Sequence, residues 1–557
     1  MAKLGLTPRQ QTALFAVGLF LLAGIAAWSR AGALGPEALW LDDIWVAMIV
    51  RHFDLREYLT NRPLLPLGFF VLLRLVVRTL GETELYFQLV PYLAGIATIP
   101  LTGLAAARLI PSRSFALLAA ALLVPSALLA RHSVTVKAFP IDTLFSAGLL
   151  LVGLPLLSRS DLGRFAVLVA LATTAFLFSF PSVIVSVPLV GVVLLRALAT
   201  QSPDQGRRHL GVAVGWALCL AVAYLALVPH SSNERLNAYW ASHFLPLDPA
   251  AAWGFLRTKA LSPLAAIAPG AFWFLAAAAL AGVFGRLREA PWEALFFLGV
   301  FGGHLFLSAL EVYPVGGGRT DLFVLPVWSV LCARGLWNAC GVWPPLRAGW
   351  IALALGAYLA AHPAGAVYTP SKERDVFEEL ARRERPGDEL LLNSYAPMSL
   401  GFYEYRDVDL VYAPERGHRV AVRFREPGVT VLPWPAGSRA TPDFMASHLE
   451  KVFRRAPDRV LFVATSHTDF PGERLVTEQM LSAGYAPTFE FRRGLAALLV
   501  FERSNRSAPV GRGPVAGPAR PEERPRSAAR ATPLVRDPGK QEPVAREEAS
   551  PAASVGR

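Results

Sequence analysis

Apolar runs long enough to cross a bilayer recur through the first two thirds of this chain, and nothing else constrains its fold as strongly. A helical span needs about 20 mostly apolar residues, because the hydrocarbon core is roughly 30 Å thick and offers open backbone groups no partner. Residues 12–28, 86–107, 115–130 and 141–157 are runs of this kind, some of them short. Over all 557 residues only 17% are charged and the mean hydropathy is +0.40, whereas a soluble domain carries roughly 25% charge. The sequence predicts a polytopic α-helical membrane domain with about eleven spans.

The formal net charge of +12 raises nucleic acid as a partner, but its placement argues against that. Residues 506–557 hold ten Arg or Lys against six Asp or Glu, in a stretch rich in Pro, Ala and Ser that has little to bury and reads as a disordered tail. Most other cations fall in short turns between spans. With the N-terminus cytoplasmic and residues 64–80 read as an amphipathic surface helix interrupted by Arg74 and Arg78, the basic turns fall inside. These include Arg108, Arg113, Arg159, Arg164, Arg196, Arg207, Arg208, Arg286, Arg288 and Arg347. The short outer turns hold only Arg131, Lys137 and Arg319. Lys3 and Arg9 before the first apolar run, with Ala31-Gly32-Ala33 after it, resemble a cleaved signal. The many spans that follow favour a retained first span. Cys219, Cys332 and Cys340 show neither a disulfide framework nor metal-ligand spacing and read as packing residues.

After residue 365 the texture changes to alternating strands and helices. Strands are expected at 388–393, 429–432, 459–464, 488–492 and 496–502, with helices at 371–383, 442–453 and 473–483. The pattern implies a small α/β domain with a mostly parallel sheet, outside the membrane. It lacks a glycine-rich phosphate loop and a His or Cys cluster, so no chemistry is assigned to it. The expected organisation is a membrane domain over 1–365, the extracytoplasmic α/β domain over 366–505 and the tail over 506–557.

Chemistry is expected at the outer ends of the spans. Trp40-Leu41-Asp42-Asp43-Ile44-Trp45 places two adjacent carboxylates between tryptophans at interface depth. An acid in low-dielectric surroundings can act as a general base or ligate a divalent cation; the bland alternative is a solvated turn with aromatic anchors. Arg62-Pro63 and the Pro-Leu-rich residues after it open the surface helix and carry no role alone. In 131–142, Arg131 and Lys137 stand where a phosphate head group would sit, although cations there often only snorkel. Asp142, opening the next apolar run, is read as a helix N-terminal acid favoured by the dipole. In Tyr313-Pro314-Val315-Gly316-Gly317-Gly318-Arg319, the glycines let backbone approach a ligand and the guanidinium suits phosphate oxygens; a flexible turn with an interfacial Arg is the alternative. Asn233-Glu234-Arg235 and Tyr239-Trp240, in a long outer loop, are candidate lining residues, His243 is less informative, and His304 is read as a packing residue.

Together these residues resemble the GT-C superfamily of polyprenyl-phosphate-sugar-dependent glycosyltransferases. The closer similarity is to the bacterial branch related to protein O-mannosyltransferases and the lipid A aminoarabinose transferase. The resemblance covers roughly residues 10–365 and rests on Asp42 and Asp43, the Pro-Leu-rich stretch 63–68, the 137–142 junction, and Tyr313-Pro314 with 316–319. It implies transfer of a sugar from a polyprenyl-phosphate donor, the carrier being undecaprenyl phosphate for a bacterial source, to an acceptor hydroxyl on a lipid, glycan or protein, with inversion. Asp42 maps to the family's proposed base. The usual partner is Glu, and here it is Asp43, which would orient Asp42 or help hold a divalent metal. Lys137, Arg319 and Arg131 would bind the donor phosphate, with Tyr313, Gly317, Glu234 and Asn233 lining the substrate. The resemblance implies the inner membrane of a bacterium, with the site and the C-terminal domain extracytoplasmic. A flippase or transporter for a lipid-linked sugar, or a non-catalytic scaffold, are the competing readings. The first calls for internal symmetry and mid-membrane ionisable groups. The second leaves the one-sided gathering of Asp42, Asp43, Lys137 and Arg319 without a purpose.

Overall fold

The computed structural model describes residues 7–35, 39, 41–63, 65–228, 239–267, 272–285, 287–342, 372–393, 396–403, 408–413, 419–424, 428–432, 442–465, 471–493 and 496–504. The tail from 506 lies outside them, as do Asn233, Glu234 and the expected boundary near 365.

The membrane part runs α1 (Pro8–Ala31), α2 (Leu41–His52), α3 (Leu55–Asn61), α4 (Leu67–Leu80), α5 (Glu84–Leu109), α6 (Arg113–Ala121), α7 (Ala127–Ser133), α8 (Phe139–Ser158), α9 (Leu162–Phe178), α10 (Ser182–Thr200) and α11 (Pro203–Leu227). It continues through α12 (Pro249–Phe255), a π turn at Leu256–Ala260, α13 (Ser262–Ile267), α14 (Phe272–Phe284), α15 (Pro291–Ala309), a 3-10 turn at Arg319–Val324 and α16 (Leu325–Val342). Among the described residues seven helices are long and apolar enough to span, or eight if the bent pair 249–284 is one span. α9, with 17 residues, is just short of that length, and one further expected span falls in the undescribed 343–371.

Residues 115–130 are not one span. α6 ends at Ala121, and Ser126 starts α7 by accepting a hydrogen bond from the Leu129 N–H at 3.3 Å. Pro125 has no N–H to continue the first helix and disfavours helical backbone in the residue before it. α4 is amphipathic as expected: Phe69, Phe70, Leu73 and Val77 are buried on one stripe, while Val71 and Leu75 face out. Arg74 donates to the carbonyls of Val50 (2.8 Å) and Phe53, tying α4 to the end of α2.

Small residues set the helix spacing. A Cβ on Gly335 of α16 would lie 1.7 Å from the Ala278 carbonyl of α14, so these two backbones touch. Such contact replaces the hydrophobic drive that lipid does not provide between spans.

The C-terminal part holds α17 (Glu373–Arg383), β1 (Glu389–Leu392), α18 (Ala396–Phe402), β2 (Val408–Ala413), β3 (Arg419–Phe424), β4 (Val429–Val431), α19 (Pro442–Arg455), β5 (Arg459–Thr465), α20 (Pro471–Ser482), β6 (Tyr485–Arg493) and β7 (Ala496–Arg503). The five-stranded sheet has the order β4-β1-β5-β7-β6, and β2 pairs with β3 as a separate antiparallel hairpin. The expected mostly parallel sheet is half so. β1 runs parallel to β4 and β5, but β7 is antiparallel to β5 and β6. Two residues join β6 to β7, and so short a link forces a hairpin. α18 and the β2–β3 hairpin, both absent from the sequence reading, dock this domain on the bundle. Met398, Phe402 and Val408 share a core with Met48 of α2 and Phe87 of α5. Arg51 donates to the Phe402 carbonyl at 2.8 Å and lies 4.8 Å from its ring centroid; Arg374 reaches Glu84 at 3.2 Å. The domain therefore sits on the end of the bundle that holds the N-terminus of α5.

Candidate active site

Asp42 and Asp43 lie in the first turn of α2, where unpaired N–H groups and the dipole favour negative charge. The two carboxylates face different surroundings. Asp43 is fully buried and accepts a hydrogen bond from the Val136 N–H at 2.9 Å, so it fastens the 134–138 segment to the start of α2. That segment carries Lys137, whose Nζ donates to the Asp42 backbone carbonyl at 2.8 Å and lies 3.8 Å from Asp42 Oδ2. Arg319, opening its 3-10 turn, donates from Nη1 to the same Oδ2 at 3.1 Å. The Asp42 side chain is 40% exposed, against 16% for Lys137 and 26% for Arg319. The carboxylate is thus the open face of the cluster, with two cations behind it. Burial pushes the Lys137 ammonium below its usual range; Asp42 and Asp43 pull it back up, and Arg319 pushes it further down.

An indole accompanies each cation. Lys137 Nζ lies 6.0 Å from the Trp45 ring centroid, and the Arg319 guanidinium carbon 5.6 Å from that of Trp240. Trp240 is one of the lining candidates of the outer loop, and its ring stands against the Arg319 guanidinium. His132, beside this cluster, is no candidate base. Burial, with Arg131, Arg319 and Lys137 nearby, lowers its imidazole to about 3.

Gly316 and Gly318 take φ values of +73° and +67°, the region that favours glycine. A Cβ on Gly317 would lie 2.6 Å from the Trp240 ring, and one on Gly316 would lie 2.6 Å from Lys259 Cβ. On their Cβ side the glycines admit the protein's own outer segments, Trp240 at Gly317 and Lys259 at Gly316. Tyr313 likewise serves the turn: its hydroxyl donates to the Thr320 carbonyl at 3.0 Å. Arg131 is exposed at the end of α7, and its side chain makes no hydrogen bond or ion pair with a described residue. His304 packs as expected, with Nε2 3.2 Å from the Pro314 carbonyl. Asp142 is buried in the first turn of α8.

A resident divalent cation does not fit this donor set. Among the described residues no group of three or more His, Cys, Asp or Glu is placed to hold one. Asp43 gives an oxygen to Val136, and Asp42 faces two cations that would repel a metal. Asp43 acts here as a brace. Asp43→Ala is expected to cost about 1–3 kcal/mol of stability, because it leaves a buried donor unpaired. Asp43→Asn, which keeps an acceptor, should recover most of that. Thermal unfolding of the two purified variants measures the difference.

No protein-family model matches the chain, and no curated protein matches it. Among solved structures it is similar to the crystal structure of ArnT from Cupriavidus metallidurans bound to undecaprenyl phosphate. The match has 12% identity and a TM-score of 0.46 over 89% of this chain and 98% of that one. The apo crystal structure of ArnT from the same organism matches at 16% identity and a TM-score of 0.42, over 86% and 97%.

Proposed function

We propose that this multi-pass membrane protein is a glycosyltransferase that takes a sugar from a polyprenyl-phosphate donor and passes it, with inversion, to an acceptor hydroxyl. The observation that carries this reading is the convergence on Asp42 Oδ2 of Arg319 Nη1 at 3.1 Å and Lys137 Nζ at 3.8 Å, from positions 277 and 95 residues away along the chain. One partly exposed carboxylate with two cations at its side is the donor set that a phosphate-leaving substitution needs.

In the proposed reaction the acceptor oxygen attacks the anomeric carbon from the side opposite the phosphate. The carbon–oxygen bond to the phosphate breaks, and the lipid phosphate leaves with the electron pair. Asp42 takes the hydroxyl proton as the new bond forms. Arg319 and Lys137 meet the charge that builds on the departing phosphate oxygens, and preorganised charges of this kind usually contribute most to the rate. The lipid stays in the bilayer throughout, which spares the cost of extracting its tail, about 0.8 kcal/mol per methylene. The proposed setting is the inner membrane of a bacterium, with the cluster and the α/β domain on the extracytoplasmic side and undecaprenyl phosphate as carrier. The acceptor is a lipid, glycan or protein hydroxyl.

The test incubates purified protein with a panel of labelled polyprenyl-phosphate sugars and a membrane extract, and follows the label. Transfer to one acceptor class, with release of unlabelled polyprenyl phosphate, is the expected result. Label that crosses a sealed vesicle without changing its chemical form would replace this reading with that of a transporter.

A further inference from the structure

Asp321 is a fully buried carboxylate whose Oδ1 lies 3.8 Å from His304 Nε2, and its hydrogen bonds converge on the turn just before Arg319. Its Oδ1 accepts from the Gly316 N–H at 3.2 Å, and its own N–H donates to the Gly318 carbonyl at 3.0 Å. Side chain and backbone of one residue therefore close the turn at both ends. With Gly316 and Gly318 in the left-handed region, the turn depends on such contacts to hold its path. Further contacts add rigidity. From the turn itself Tyr313 donates to Thr320 O (3.0 Å), and from α8 of the bundle Thr143 donates to Leu322 O (3.3 Å). From the outer loop, the Val315 N–H donates to His243 O at 2.8 Å. A carboxylate withdrawn from water this completely is costly unless it is compensated. Here it stands fully buried two residues past Arg319, whose guanidinium meets Asp42.

We propose that Asp321 is a positioning residue: by holding the 316–319 turn closed, it fixes the Arg319 guanidinium at the phosphate subsite beside Asp42. This rests on the reading of Arg319 as a phosphate ligand. The cause is entropic, since a guanidinium on a loose turn must be ordered again each time phosphate binds.

The experiment measures binding of undecaprenyl phosphate to the full-length protein in detergent, for Asp321→Leu, Asp321→Asn, Arg319→Ala and the double variant Asp321→Leu/Arg319→Ala. Asp321→Leu removes the acceptor while keeping the branched skeleton and is expected to weaken binding on the order of tenfold. Asp321→Asn keeps Oδ1 as an acceptor and should stay within about threefold of the parent. In the Arg319→Ala background Asp321→Leu should cause no further loss, because the group it positions is gone. Equal losses from Asp321→Leu in both backgrounds would overturn the proposal, since a general structural defect subtracts the same from each. If Asp321→Leu does not fold, Asp321→Ser, whose hydroxyl is too short to reach Gly316, takes its place in the cycle. Unchanged binding in Arg319→Ala would instead remove the phosphate-ligand reading itself, and the positioning role with it.

Discussion

Asp42→Asn is expected to lower sugar transfer by about 10²–10⁴-fold while the protein still inserts, folds and binds polyprenyl phosphate. The substitution keeps the shape of the side chain and removes only its capacity to take a proton. Stability should hardly change, because the side chain is 40% exposed and partly exposed ion pairs with Arg or Lys contribute little. Phosphate binding should hold or tighten. Arg319 and Lys137 are both turned toward the Asp42 carboxylate, which competes with an incoming phosphate for them. Rates of label transfer and titration with polyprenyl phosphate separate the two effects. Transfer within tenfold of the parent would mean that Asp42 is not the base.

The second large effect is expected at Arg319. Arg319→Ala should lower transfer by about 10²–10³-fold, the size typical for removal of one preorganised charge that meets a developing anion. Unlike the Asp42 change, this loss should appear in donor binding as well as in the rate, because the guanidinium meets the phosphate before and after the bond breaks. Arg319→Lys should recover only part of it, since an ammonium is a point charge and cannot offer the parallel donors of the fork. A steady-state comparison of the three proteins, with donor concentration varied, gives the division between KM and kcat. A normal KM with Arg319→Ala would place the phosphate elsewhere.

Much of this arrangement was legible along the chain. The membrane domain follows from hydropathy, and the amphipathic run 64–80, a helix over Leu67–Leu80, was marked by Arg74 and Arg78 standing within apolar residues. The α/β domain was visible as alternating short apolar strands and amphipathic helices. The break at 122–126 was less visible, because Leu122, Leu123 and Val124 continue the apolar texture and only Pro125 marks the end of a helix. The antiparallel β6 and β7 were misjudged for a related reason, as strand direction depends on the length of a link and not on the strand residues. Asp42, Arg319 and Lys137 were each recognisable as unusual for their depth. The contacts of Asp43 and the glycines were not, since each is made with a partner distant in sequence: Val136 for Asp43, and Trp240 and Lys259 for the turn.

Hydropathy is a property of each residue in turn, and the bilayer reads it locally, so the apolar runs alone mark this chain as membrane-spanning. Whether two charges meet depends on how helices pack. Packing is decided by shape, as where the backbone at Gly335 rests on that at Ala278. The tertiary structure alone brought Lys137 and Arg319 to one oxygen of Asp42 and gave the neighbouring Asp43 to the backbone instead. Two adjacent residues of the same type thus came to differ in exposure and in partners because one points into the bundle and the other out of it.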